Sequence, residues 1–341
     1  MQIHLVDGTY ELFRQFFARP SHRTAAGVEV AATRAAVSGL LRLVADGATH
    51  VGVATDHVIP SFRNEMYPGY KSGDGVDVEL LGQFPLLEEV AAAAGFTVWH
   101  MVDYEADDAL ATAAARAATD PAVERILICT PDKDLAQCVS DDGRVVQFDV
   151  RHGRLFDRAG VVGRFGVPPS SIPDYLALVG DSADGFSGLP GWGPKSAAAL
   201  LGRYGHIEDI PDASGQWDVA VRGAVKLAAT LAAGRQEADL YRRLATLVTD
   251  VPGVLDSAEP GAGAVDALAW VGPQPGFAEL CERIDAARLA EVAASLAPPS
   301  VSSSAPSVCS PSPPSGPSSA SRAGTGPREG SSHGMSKRPG S

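Results

Sequence analysis

Residues 125–137 read RILICTPDKDLAQ. A β-type run of apolar residues passes into Thr-Pro, and two carboxylates, Asp132 and Asp134, follow at once. A strand that ends in acids places them at its carboxyl end, which is where open α/β sheets bind their ligands. The same punctuation recurs upstream: IHLV (3–6) runs into Asp7 and HVGVAT (50–55) into Asp56. FTVWH (96–100) and VVQFD (145–149) complete a set of short apolar runs that alternate with Ala- and Leu-rich stretches of helical period at 30–45, 84–95 and 105–118. That alternation predicts a parallel sheet covered by helices, with acids far apart in sequence converging on one cleft.

From about Phe165 the strand pattern stops. Helical segments separated by Gly/Pro turns follow, through GVPPSSIPDYLALVGD and PKSAAALLGRYG to stretches near 219–247 and 277–296. The expected organisation is an α/β domain over 1–164, a helical subdomain over 165–297 and a tail over 298–341. Thirty of the tail's 44 positions are Ser, Pro or Gly, so it has no means of building a core and is expected to be disordered.

The chain has 341 residues, 45% of them apolar, and a formal charge of −13 from 28 basic and 41 acidic residues. No apolar run approaches the length of a membrane span and the N-terminus lacks a signal design, so a cytoplasmic protein is expected. Cys129, Cys138, Cys281 and Cys309 form no C-x-x-C pair, which argues against disulfides and zinc. The tail carries four basic residues and one acid, which leaves the preceding 297 residues at −16. Such an acid surplus is unexpected for a protein clamped along a nucleic-acid backbone by a broad basic surface.

Part of the answer lies in where the acids fall. YEADD (104–108) sits between a strand and a helical run, where first-turn acids would complement the helix dipole. Capping does not explain Glu105, Asp107 and Asp108 together beside Asp7, Asp56, Asp132 and Asp134, because like charges a few Å apart repel. Divalent cations resolve the conflict, and an oxygen-only set without His or Cys suits Mg²⁺ or Mn²⁺. Asp181 and Asp184 in GDSADG read alone as an acidic turn, and His57 beside Asp56 as incidental. GLPGWGPKSAAALL is a Gly-rich turn opening a helix, with Gly191, Gly193 and Lys195 placed to hold a phosphate or to form an ordinary hairpin. SFRNEMYPGYK interleaves Phe62, Arg63, Tyr67, Tyr70 and Lys71, rings for stacking on bases and cations for phosphate.

The ordered set VDGTYELFR, ATD…FRNEMYPGYK, YEADD, TPDKDLAQ and GDSADGFSGLPGWGPKSAAALL resembles the 5′-to-3′ exonuclease and flap endonuclease family, including the nuclease domain attached to bacterial DNA polymerase I. The resemblance covers residues 1 to about 250 and implies a PIN-like (resolvase-like) sheet followed by a helix-hairpin (helix-3-turn-helix) element. It implies two or more Mg²⁺ or Mn²⁺ ions held by Asp7, Asp56, Glu105, Asp107, Asp108, Asp132, Asp134, Asp181 and Asp184. It also implies Lys71 and Arg63 acting at the base of a helical arch, with Phe62, Tyr70, Arg14, Gly191, Gly193 and Lys195 on DNA and K⁺ at the hairpin. The implied activity is metal-dependent hydrolysis of DNA carrying a 5′ flap or end, in replication and repair. A stand-alone, nucleoid-associated monomer served by a separate polymerase or clamp is expected. A same-fold nuclease for RNA or RNA–DNA hybrid and a non-catalytic junction binder are the alternatives. Asp74 stands where the family usually has Arg, and SGDGVDVELL (72–81) reads as poorly helical.

Overall fold

The computed structural model describes residues 1–256 and 264–298; the expected tail and Cys309 lie outside the described residues. Six strands, β1 (Gln2–Asp7), β2 (His50–Asp56), β3 (Thr97–Met101), β4 (Arg125–Cys129), β5 (Val145–Asp149) and β6 (Arg154–Phe156), form one sheet in the order β3-β2-β1-β4-β5-β6. The first five pair in parallel, and β6 returns antiparallel to β5. The parallel sheet expected from the sequence is thus present in β1–β5, and β6 adds one antiparallel edge strand that makes it mixed. β6 has only three residues, too few to show an alternating pattern in sequence.

Helices α1 (Gly8–Ala18), α2 (Ala31–Ala45), the one-turn α3 (Arg63–Met66) and α4 (Val78–Leu81), α5 (Gln83–Ala93) and α6 (Ala106–Ala117) fill the crossovers. Strand residues alternate between the faces, as a period of two demands. Val6, Val51, Val53 and Leu127 meet α1, α2 and α5 on one side, joined there by the C-terminal helices α11 (Phe277–Arg283) and α12 (Ala287–Leu296). Ile3, Leu5, Ile126 and Ile128 meet α6 on the other. Small residues on α6, Ala109, Ala113 and Ala114 among them, are fully or almost fully buried and let that helix lie close to the strands.

Beyond the sheet come α7 (Arg158–Phe165), α8 (Ile172–Val179), α9 (Pro194–Tyr204) and α10 (Ala224–Ala245). They share a core of Ile172, Leu176, Phe186, Leu200, Leu231 and Tyr241. The helical stretch read near 277–296 is two helices, because Asp285 takes a left-handed φ of 53° between α11 and α12. Among the described residues no helix is long and apolar enough to cross a membrane.

Candidate metal centre

The carboxyl ends of β1, β2 and β4 deliver Asp7, Asp56, Asp132 and Asp134 to one edge of the sheet, as their position after each strand predicts. Asp7 caps α1 through the Tyr10 N–H (2.7 Å) and also accepts from Thr130 Oγ1 (3.0 Å). Asp56 accepts from the Ala106 N–H (2.7 Å) and so ties β2 to the start of α6. The loop after α8 adds Asp181 and Asp184, closed by paired backbone bonds between Asp181 and Phe186. A cavity of about 270 Å³ opens between them, lined by Tyr10, Lys71, Asp107, Asp132, Lys133, Asp134, Arg164, Asp181 and Asp184 among others.

Carboxylate oxygens of Asp134, Asp181 and Asp184 lie within 4.8 Å of one another, and Asp134 Oδ1 is buried without a hydrogen-bond partner. The fields of the acids overlap. Burial, with Asp132 and Asp56 added, pushes Asp7 up to about 7 despite the hydrogen bonds it accepts. Burial also lifts Asp56 to about 6, with Lys71 opposing and Glu105 reinforcing the shift. Asp107 is raised well above the ordinary carboxylate range by burial and then by Asp7 and Asp132, and Asp134 by burial and then by Asp184, Asp132 and Asp181. Asp184 is raised as well, burial and Asp181 outweighing Lys71. Oxygen-only donors, an orphaned oxygen and mutual repulsion together fit a hard divalent cation.

Glu105 belongs to a different local chemistry. Ser61 Oγ donates to its Oε1 (2.6 Å), while Lys71 Nζ (2.9 Å) and Tyr70 Oη (3.2 Å) meet its Oε2. Burial alone would raise Glu105, but Lys71 and Arg63 hold it below its ordinary value. Lys71, also 3.5 Å from Asp184, loses to burial and gains more from Glu105, Asp184 and Asp56, so its ammonium stays charged. Lys133 makes a 2.7 Å ion pair with Asp181.

Several expected roles are corrected. Asp108 is not available as a metal ligand and Arg63 is not available to substrate: each is 0% exposed and they hold each other. Arg63 donates from Nη1 and Nη2 to the two Asp108 oxygens at 2.7 Å each, and from Nε to Leu244 O (2.8 Å). The Glu105 N–H (3.1 Å) and the Val248 N–H (2.9 Å) take the remaining lone pairs of Asp108. Tyr70 is 3% exposed with its hydroxyl on Glu105, so it offers no face for stacking. Phe62 is half-buried against Tyr104, ring centres 5.7 Å apart. Arg14, bonded to Glu11, lines a separate groove of about 470 Å³ with Arg19, Arg42 and Arg151.

The helical arch implied by the resemblance is reduced to α3 and α4. Left-handed Gly73 and Gly75 (φ 81° and 83°) interrupt any helix between them. The intervening chain is pinned to the metal edge by the Lys71 N–H on Asp184 O (3.1 Å). There Gly69 O would lie 2.2 Å from any Cβ placed on Gly185. Asp74 is exposed and accepts from Ser72 Oγ (2.8 Å). At the hairpin, Gly191 has φ 85°, Gly193 caps α9, no atom lies within 4 Å of a Cβ built at either, and Lys195 is exposed. Lys133 and Arg164 went unclaimed in the sequence; Lys133 stands inside TPDKD, while nothing in the motif pattern points to Arg164.

Known proteins share the sequence family and the fold. The family model of the 5′-3′ exonuclease N-terminal resolvase-like domain matches residues 2–166, and that of the 5′-3′ exonuclease C-terminal SAM fold matches 167–267. The chain is 35% identical over 254 residues to DNA polymerase I of Mycobacterium bovis, covering 73% of this chain and 27% of that protein. It therefore spans about a quarter of the length of such polymerase relatives. It is also 33% identical over 210 residues to the 5′-3′ exonuclease of Aquifex aeolicus, covering 61% of this chain and 71% of the relative. In fold it is similar to the phage T5 5′-exonuclease with divalent metal ions (zinc) bound, at TM-score 0.58, 19% identity and coverage of 84% of this chain and all of that one. It is likewise similar to the catalytic core of Rad2 in complex with DNA substrate, at TM-score 0.54, 14% identity and coverage of 86% and 92%.

Proposed function

The chain belongs to the 5′-3′ exonuclease family, and from that premise we propose that it is a divalent-metal-dependent 5′-to-3′ exonuclease and 5′-flap endonuclease acting on DNA in replication and repair. The observation that carries the reading is the cavity where Asp107, Asp132, Asp134, Asp181 and Asp184 meet with Lys71. Asp7, Asp56 and Glu105 stand behind them as further candidate ligands. Mg²⁺ or Mn²⁺, two or more ions, is the cofactor we assign. When bound, such ions supply an activated water and neutralise charge on the phosphodiester.

The chain's own residues do the rest. Asp7 and Asp56, lifted to about 7 and 6, are acids that a cation readily strips of protons near neutral pH. Lys71 keeps its proton, so it stabilises phosphate charge as an electrostatic partner and does not serve as a base. The Tyr70 phenol, pushed up by burial, remains a hydrogen-bond donor that orients Glu105. Arg63 and Asp108 act as a clamp joining α3 and α6 to the end of α10 and the chain that follows it.

In this reading residues 1–164 supply most of the metal-binding acids, and 165–297 add Asp181 and Asp184 and grip the duplex, with Gly191, Gly193 and Lys195 on the phosphate backbone and K⁺ at the same turn. We assign a monomer at the nucleoid that hands its product to a separate polymerase or clamp. The test is a labelled 5′-flap DNA incubated with Mg²⁺, beside an EDTA control and an Asp107→Asn variant. Cleavage by the wild type alone, and only with metal, is expected. Binding of the flap without any cleavage would leave a junction-binding protein instead.

A further inference from the structure

Three cations line the acidic cavity, and they are not equivalent. Lys71 is engaged by Glu105 and Asp184, and Lys133 by Asp181. Arg164 lines the same cavity, is exposed, and forms no ion pair among the described residues. An uncommitted guanidinium at the rim of an acidic cluster is unusual, since a flexible arginine would fold onto the nearest carboxylate.

Arg164 is held in another way. It occupies the last turn of α7, one residue before Phe165 and two before the left-handed Gly166 that ends the helix. Its Nη1 donates to Pro131 O (3.0 Å), the residue that leads into Asp132, and its guanidinium carbon lies 4.7 Å from the Phe165 ring centre and 5.7 Å from that of Phe156. These contacts orient the guanidinium and use one of its five N–H donors, leaving the others free. A long cation held this way has already lost much of the rotamer freedom that binding would otherwise remove.

Resting on the nuclease reading above, we infer that Arg164 is a second phosphate-binding residue of this cavity. It binds a non-bridging oxygen of a phosphodiester in the strand that enters. Lys71 meets the substrate as a compact charge balanced by acids, whereas Arg164 supplies a planar fork that matches two phosphate oxygens. The contact reads backbone and no base, so it adds grip without sequence preference. Because Arg164 is anchored to the carbonyl just ahead of Asp132, it also sets the strand's distance from the metal-binding loop.

The experiment compares wild type, Arg164→Ala and Arg164→Lys on one 5′-flap DNA, reading Kd in Ca²⁺ and kcat/KM in Mg²⁺ across a salt series. Arg164→Ala is expected to lower kcat/KM by about ten- to a hundred-fold. It should also flatten the slope of log Kd against log salt by roughly one phosphate contact. Arg164→Lys should restore the slope, which needs only charge, and only part of the rate, which needs the fork. A slope and rate for Arg164→Ala equal to wild type would overturn the inference, as would a lost rate with an unchanged slope, the mark of a helix-end packing role. Failure of the wild type to cleave would sink the nuclease reading, while the Kd slopes would still decide the fate of Arg164.

Discussion

Asp107 and Asp108 are adjacent on α6 and live in opposite environments. Asp107 faces the cavity, with burial and then Asp7, Asp132 and Asp134 driving its pKa upward, and its carboxylate forms no hydrogen bond or ion pair among the described residues. Asp108 is wholly buried on the other side, and Arg63, Glu105 N–H and Val248 N–H satisfy both its oxygens. One region settles its charge from within; the other holds a charge conflict that bound protons or a cation must relieve. The lesson is that an acid's function here depends on whether the fold supplies its counter-ion. A motif of three acids in four positions conceals that division.

Neutralising each neighbour in turn separates the two environments most clearly. Asp107→Asn is expected to cut Mg²⁺-dependent flap cleavage by about a thousand-fold or more, because it removes a proposed ligand at the reacting centre. Its metal-free thermal stability should hold or rise, since one member of a repelling set is gone. Asp108→Asn should do the reverse to the fold, lowering stability by about 3–5 kcal/mol because a buried guanidinium loses its partner. Urea unfolding of both variants, alongside single-turnover cleavage, reads the two effects. Equal destabilisation by the two substitutions would erase the distinction.

A second test asks whether the buried pair is a unit. Arg63→Met alone leaves Asp108 charged and buried, and Asp108→Asn alone leaves Arg63. The double variant removes both charges. A coupling free energy of about 1–3 kcal/mol in the double-mutant cycle is expected, with the double variant more stable than the sum of the singles allows. Additive losses would mean that Arg63 stabilises the fold through Leu244 O and Thr246 O alone.

The division between Asp107 and Asp108 was not legible in the sequence, for a physical reason. Successive helical residues point about 100° apart, so both acids of EADD read equally as first-turn acids. The partner that decides between them is Arg63, forty-five positions earlier. The burial of Tyr70 and Arg63 is illegible for the same reason, since interleaved rings and cations look alike in sequence whether exposed or buried. What a strand end fixes locally was legible: Asp7, Asp56, Asp132 and Asp134 emerge at the sheet edge because parallel strands must end together. The break between α11 and α12 carried no Gly or Pro to announce it.

Protonation gives a third and smaller contrast. Asp7 and Asp56 titrate near 7 and 6 in the folded chain, above the ordinary carboxylate value, so the folded state keeps protons that the unfolded chain releases. Their stabilising contribution is complete below about pH 4 and is lost as pH rises through about 6 and 7. Metal competes for the same oxygens. The rise in Tm on adding Mg²⁺ should therefore be slight near pH 5 and grow by a few degrees towards pH 8. The buried clamp has no share in this, so Asp108→Asn should lower the whole curve without changing how the Mg²⁺ increment varies with pH. An increment independent of pH would argue against proton–metal competition at Asp7 and Asp56.

Glu105 stands at the seam between the two regions, and it yields the smallest effect. Its Oε2 meets Lys71 on the cavity side, while Arg63 Nη1 lies 3.5 Å from its Oε1 on the clamp side. Ser61 Oγ, at 2.6 Å, fixes which way that carboxylate turns without contributing charge of its own. Ser61→Ala should therefore cost about 1 kcal/mol in stability and about ten-fold in cleavage, as expected for a group that only orients a ligand. Arg63 and Lys71 still hold the Glu105 charge in that variant, so the Mg²⁺ concentration needed for half-maximal rate should rise only modestly. If Ser61→Ala instead matched Asp107→Asn in lost activity, Glu105 orientation would be as critical as the ligands in the cavity. The seam would then belong to the metal centre and not to the clamp.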